Sequence, residues 1–141
     1  MRPALLVYPM LAMVLLSFAV LLRLFRTRTR LVREGAVRAS YFRIYQGDAE
    51  PEDSAKLARN FANLFEVPVL FYAGCLAAIA TGQGSAFVLG LAWLYVALRV
   101  AHSFVHTGAN GLRPRIALYF SSWIALLALW SALAVGVATS G

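Results

Sequence analysis

Charge is what this chain has least of. Only 13% of its 141 residues are charged, while 61% are hydrophobic and the mean hydropathy is +0.71. An ordinary soluble domain carries about a quarter charged residues. The shortage excludes a conventional water-soluble globule and leaves an integral membrane protein. Acidic residues are scarcer still, six against thirteen basic ones, for a formal net charge of +7. Cysteine occurs once, as Cys75 inside an apolar run. That excludes a disulfide framework and a metal cluster, and leaves Cys75 as a small buried filler. The sequence has no Ser-His-Asp arrangement, no paired carboxylates and no phosphate loop. The two histidines, His102 and His106, stand at i, i+4, but no third metal ligand accompanies them, so no metal is expected. No internal repeat or low-complexity tract is evident.

What the chain does have is apolar length. Four runs reach the roughly 20 residues needed to cross a bilayer core. They cover about Ala4 to Leu24, Ser54 to Ala80, Ser85 to His106 and Pro114 to Ala138, and predict an all-α, four-helix up-and-down bundle forming one transmembrane domain over 1–141. Pro9 is expected to kink the first span, and Pro68 sits in the second, where neighbouring helices tolerate it. Asp48, Glu50, Pro51, Glu52 and Asp53 precede the second span, a helix-start signal. The first run is long, exits into arginines and lacks a small-residue cleavage pattern, so it reads as a retained span rather than a signal peptide. Gly74 with Ala78, and Ala128 with Ala132 and Gly136, place small residues at helical spacing for close helix approach.

The basic residues are concentrated. Nine of thirteen lie between Arg23 and Arg59, and Arg113 and Arg115 lie in a second loop. That is the positive-inside pattern. It puts the long basic loop, about 25–53, and the loop Thr107 to Arg113 on the cytoplasmic face, here of a bacterial inner membrane. Both termini and the turn Thr81 to Ser85 then fall on the opposite face. Anionic lipid headgroups are natural partners for these arginines, and no nucleic-acid signature accompanies them. Within the long loop, SYFRIYQG interleaves aromatics with Arg43. It reads equally as a segment at headgroup level or as a plain solvated loop.

The spans are not uniformly apolar. A charge at bilayer depth costs about 2.5 kcal/mol or more, so such residues face a bundle interior or a wet cavity. Arg59, Asn63 and Glu66 stand at i, i+4, i+7, and Arg99, His102 and His106 at i, i+3, i+7, each set one helix face. Arg115 opens the fourth span, with Tyr119 one turn on. An up-and-down topology brings all eight to one depth. The resulting zone suits a small anionic ligand that also carries an ammonium group, with Glu66 on the ammonium and arginines on carboxylates. The bland alternative is that Glu66 and an arginine neutralise each other in the bundle core.

These residues carry a resemblance. RNFANLFEVPVLF, from Arg59, resembles the second-helix motif of the MAPEG family, the membrane-associated proteins in eicosanoid and glutathione metabolism. RVAHSFVH, from Arg99, resembles the third-helix motif of its microsomal prostaglandin E synthase and glutathione transferase branch. Arg115 and Tyr119 match in spacing the arginine and tyrosine opening the fourth helix. The resemblance runs from about Lys56 to Tyr119. It implies a homotrimer that binds glutathione as cosubstrate between subunits and acts on lipophilic small molecules. Arg59, Asn63 and Glu66 would come from one subunit, and His102, His106 and Arg115 from its neighbour. Arg115 would stabilise the glutathione thiolate, with Arg113 as its alternative, and one of Arg23, Arg26, Arg28 or Arg30 would join the site. The implied activity is that of a glutathione-dependent transferase or peroxidase. The alternatives are a non-catalytic lipid-binding or scaffold protein of the same fold, and a plain structural or transport bundle. Departures from the branch bear on that choice. His106 replaces a tyrosine, Ile116 a serine beside the arginine and Ala62 a second arginine, and Pro68 follows Glu66 more closely than usual.

Overall fold

The computed structural model describes residues 2–47 and 50–140. Asp48, one of the acids expected before the second span, lies outside the described residues. The fold is all-helical, 83% helix with no strand among the described residues. A short 3-10 turn, Pro3–Leu6, leads into α1 (Val7–Arg33); α2 (Glu52–Ala80), α3 (Ala86–Thr107) and α4 (Leu112–Thr139) follow. All four are long and apolar enough to cross a membrane, which makes this an integral membrane bundle.

The second and fourth helices start two residues before the expected spans, and the third is displaced by one residue at each end. The first differs more: α1 continues past Leu24 to Arg33. Arginine and leucine are good helix formers, and no proline or glycine interrupts them before Gly35. Gly35 then adopts φ +72 while the Ala36 amide donates to the Leu31 carbonyl, closing the helix with a left-handed glycine. Hydropathy therefore marks where α1 leaves lipid, and glycine marks where the helix stops. Pro9 lies buried in the first α turn, where the tighter 3-10 turn gives way to α geometry. At α3 the Ser85 hydroxyl accepts from the Val88 amide at 3.1 Å, an N-cap.

α2 and α3 form the centre. α1 packs on both from one side and α4 on both from the other, and α1 and α4 do not meet. Met13, Phe71, Cys75, Tyr95, Leu126 and Leu129 fill the core, with the Phe71 and Tyr95 rings stacked at 4.6 Å. At Gly74 an added Cβ would meet the Leu129 side chain at 2.9 Å, so glycine here sets how closely α2 and α4 approach. The apolar residues left outside, such as Phe18, Phe25 and Ile124, form the face a bilayer would cover.

The long connection between α1 and α2 is strapped down rather than simply solvated. Arg28 donates to Glu50 at 2.9 Å, to the Tyr45 hydroxyl at 3.3 Å and to the buried Ser54 hydroxyl at 3.3 Å. Its guanidinium also lies 4.8 Å from the Phe42 ring. The aromatics of SYFRIYQG thus gather around an arginine of α1.

Candidate functional site

One cavity of about 420 Å³ opens between α2 and α4, with α3 behind it. Arg59, Asn63 and Glu66 line it from α2, His102 and His106 from α3, and Arg115 and Tyr119 from α4. Helical spacing explains the convergence. Each set repeats every three or four residues and so forms a single stripe, and the short α3–α4 connection sets Arg115 opposite the end of α3. One chain brings both sets to one cavity, so the division between subunits that the resemblance implies is not needed to assemble them.

Arg99 and Arg113 do not line the cavity. Arg99 is fully buried behind it. Its guanidinium donates to the Asn63 backbone carbonyl at 2.6 Å and lies 5.8 Å from the Tyr119 ring. It thereby ties α3 to the α2 turn carrying Asn63. Arg113 is exposed outside the cavity, which leaves Arg115 as the fourth-helix cation of the site. Of the helix-one candidates, Arg23 donates to Thr107, Arg28 is held at Glu50, and Arg30 lies 3.9 Å from Asp53. Neither these three nor Arg26 lines the cavity.

The polar groups around the cavity are held in place but not used up. Arg115 donates to the Asn110 side-chain oxygen at 2.8 Å. Asn110 itself sits at φ 51 and donates its amide to the Val105 carbonyl, fixing the turn between α3 and α4. The His102 Nδ1–H donates to the Arg115 backbone carbonyl at 3.1 Å, so in the neutral ring Nε2 carries no hydrogen. That Nε2 and the Nδ1 of His106 are buried without a hydrogen-bond partner. Glu66 is exposed on the cavity wall and makes no direct ion pair among the described residues, although it interacts electrostatically with the buried Arg99. Buried polar atoms without partners call for a ligand or water.

Sequence reasoning missed two features. Phe120 lines the cavity, yet in sequence it is indistinguishable from a lipid-facing aromatic. Asn110 positions Arg115, and its signal was the Asn-Gly pair in TGANGLR, since asparagine tolerates the left-handed region. Ala62 and Ile116, like His106, line the cavity, so three of the four departures from the family pattern fall on the site itself.

Fold and site together define a four-helix membrane bundle with a largely cationic cavity near its arginine-rich end. The chain matches the sequence profile of the MAPEG family over residues 6–135, and it belongs to that family, which includes glutathione-dependent transferases and other members. Comparison with curated proteins and with solved structures gave no significant match.

Proposed function

We propose that the protein is a glutathione-dependent membrane transferase or peroxidase acting on lipophilic electrophiles, with Arg115 stabilising the thiolate. The observation that carries this reading is the convergence of Arg59, Asn63, Glu66, His102, His106, Arg115 and Tyr119 on one cavity. Glutathione carries two carboxylates, one ammonium and one thiol. With Arg115 assigned to the thiolate, the cavity offers the Arg59 guanidinium and neutral hydrogen-bonding side chains for the carboxylates, and the Glu66 carboxylate for the ammonium.

A free thiol titrates near 8.5, so only a few per cent is thiolate at neutral pH. A guanidinium within about 4–6 Å lowers an acid's pKa by about 1–3, enough to make thiolate the major form. The thiolate sulfur then bonds to the electrophilic carbon of an aryl halide while halide leaves with the bonding pair. With a hydroperoxide the sulfur bonds to one oxygen as the O–O bond breaks, releasing the alcohol and leaving a sulfenic acid, and a second thiol condenses with that acid to give disulfide and water. Apolar substrates would reach the cavity from the bilayer, past Ile116 and Phe120.

In this reading the arginine-rich end faces the cytoplasm of a bacterial cell and supplies glutathione, with both termini on the opposite face. The chain works as a homotrimer of the microsomal prostaglandin E synthase and glutathione transferase branch. The test is calorimetry of glutathione binding to detergent-purified protein. Wild type should bind at millimolar ligand or below, and Arg115→Ala should weaken binding and remove most of the turnover of a chromogenic aryl halide at pH 7. Absence of heat for the wild type would overturn the reading.

A second reading rests on Ile116 and His106, which line the cavity where the resembling branch has serine and tyrosine. With those hydroxyl donors gone, the fold serves as a lipid-binding or scaffold protein. It predicts bound lipid and no glutathione turnover, and turnover that is lost in Arg115→Ala excludes it.

A further inference from the structure

On the far side of the α2/α3 pair, between those helices and α1, lies a second cavity of about 220 Å³. Leu16, Ala19 and Val20 of α1 form its apolar wall, Ser103 and Thr107 line it from α3, and Arg23 closes one end. Arg23 donates to the Thr107 hydroxyl at 3.1 Å and forms no ion pair among the described residues. Thr107 is the last residue of α3, whose 22 residues span about 33 Å, the thickness of the hydrocarbon core. The guanidinium therefore sits at headgroup level. The apolar wall descends from it toward the bilayer centre.

Two observations show that this groove is built to hold something. Ser103 is 4% exposed, and its hydroxyl has no hydrogen-bond partner although the residue lines the groove. Arg23 offers a cation with unused donors at the mouth of an otherwise apolar slot. Spread over the roughly 10 Å between Leu16 and Arg23 along α1, the volume is one hydrocarbon chain wide. The groove has one cation and no carboxylate, which suits neither a zwitterionic peptide nor a dication.

We propose that this groove is a specific site for an anionic phospholipid, with one acyl chain against Leu16, Ala19 and Val20 and the phosphodiester on Arg23. The ester or phosphate oxygens nearest the chain accept from the Ser103 hydroxyl. A two-chain lipid fits better than a free fatty acid because the groove is open to the bilayer. Arg23 is exposed at its mouth, and Phe104, 71% exposed, forms its outer edge. The second chain stays among bulk lipid. Arg26, exposed three residues further along α1, extends the cationic surface for the rest of the headgroup.

The test is native mass spectrometry of delipidated, detergent-solubilised protein titrated with phosphatidylglycerol, phosphatidylcholine or oleate. The expected result is one tightly held phosphatidylglycerol per chain, favoured several-fold over phosphatidylcholine and not displaced by equimolar oleate. Arg23→Gln should weaken phosphatidylglycerol about fivefold and erase the headgroup preference, and Arg23→Lys should recover most of it. Ala19→Phe fills the slot and should lower occupancy by every lipid. Should Ala19→Phe misfold, as judged by elution volume and far-UV spectrum, the exposed Arg23 substitutions decide alone. Equal affinity for the two phospholipids, indifference to Arg23→Gln, or displacement by oleate would each overturn the proposal.

Discussion

The thiolate-stabilising role proposed for Arg115 requires its guanidinium to be held near one place. Its bond to Asn110 supplies that restraint, and the positive φ of Asn110 explains why asparagine stands there. Two predictions separate charge from placement. Removing the charge in Arg115→Ala lets the bound thiol titrate closer to its free value near 8.5. Since a cation had lowered that acid's pKa, its loss shifts the rising limb of the pH–rate profile upward, by about 1–3. The variant should therefore lose most of its rate at pH 7 and regain part of it in alkali, as steady-state turnover across pH will show. Asn110→Gly keeps the backbone conformation but removes the acceptor. Its loss should stay within about tenfold and vanish in the Arg115→Ala background, because both act through one group. Sequence spacing correctly groups Arg99 with His102 and His106 on one stretch of α3, but only His102 and His106 line the cavity. Spacing fixes the face from which a side chain departs. It does not fix where a long arginine ends, and here the guanidinium turns back to the Asn63 carbonyl.

Helix existence was legible because apolar run length is a strong signal, whereas helix ends depend on local chemistry that hydropathy ignores. Gly35 stops α1 and Ser85 starts α3, and the extra turns of α1 carry Arg28, the anchor for the long connection. That anchor was not legible, since nothing local relates Arg28 to Glu50 and Ser54 across the loop. Gly74 shows the opposite case. Its small size was readable as a close-approach signal, and the structure identifies Leu129 and Trp130 as what it approaches. Because α2 and α4 also form the walls of the polar cavity, their separation controls its width. Gly74→Val must push α4 away, at a cost of about 1–3 kcal/mol for overpacking. The expected outcome is a lower thermal midpoint in detergent together with weaker glutathione binding, since Arg59 and Arg115 lie on the two separated helices. Unchanged binding despite lowered stability would show that the cavity does not depend on this contact.

At the scale of the whole molecule, the bundle is polarised along its axis. The exposed arginines of α1, the strapped loop, the polar cavity and the mouth of the α1 groove all lie toward the end where α1 and α3 finish and α2 and α4 begin. The other end holds the charge-free α2–α3 turn, where Gln83 donates to Ser140 at 2.6 Å. A chain so asymmetric pays a large electrostatic penalty for exporting its basic end, which is the physical content of the positive-inside rule. Under the proposed function, the same polarity sets where a water-soluble thiol would enter and where an apolar electrophile would arrive. Orientation can be read with thiol labelling, because Cys75 is fully buried and should stay silent. In intact bacterial cells a membrane-impermeant maleimide should label Ser140→Cys, beyond the end of α4. It should leave Ala109→Cys, exposed in the α3–α4 connection, unlabelled until the membrane is permeabilised. The reverse pattern would place the cavity on the outer face, away from the cytoplasmic thiol pool, and would remove the supply of glutathione on which the proposed chemistry depends.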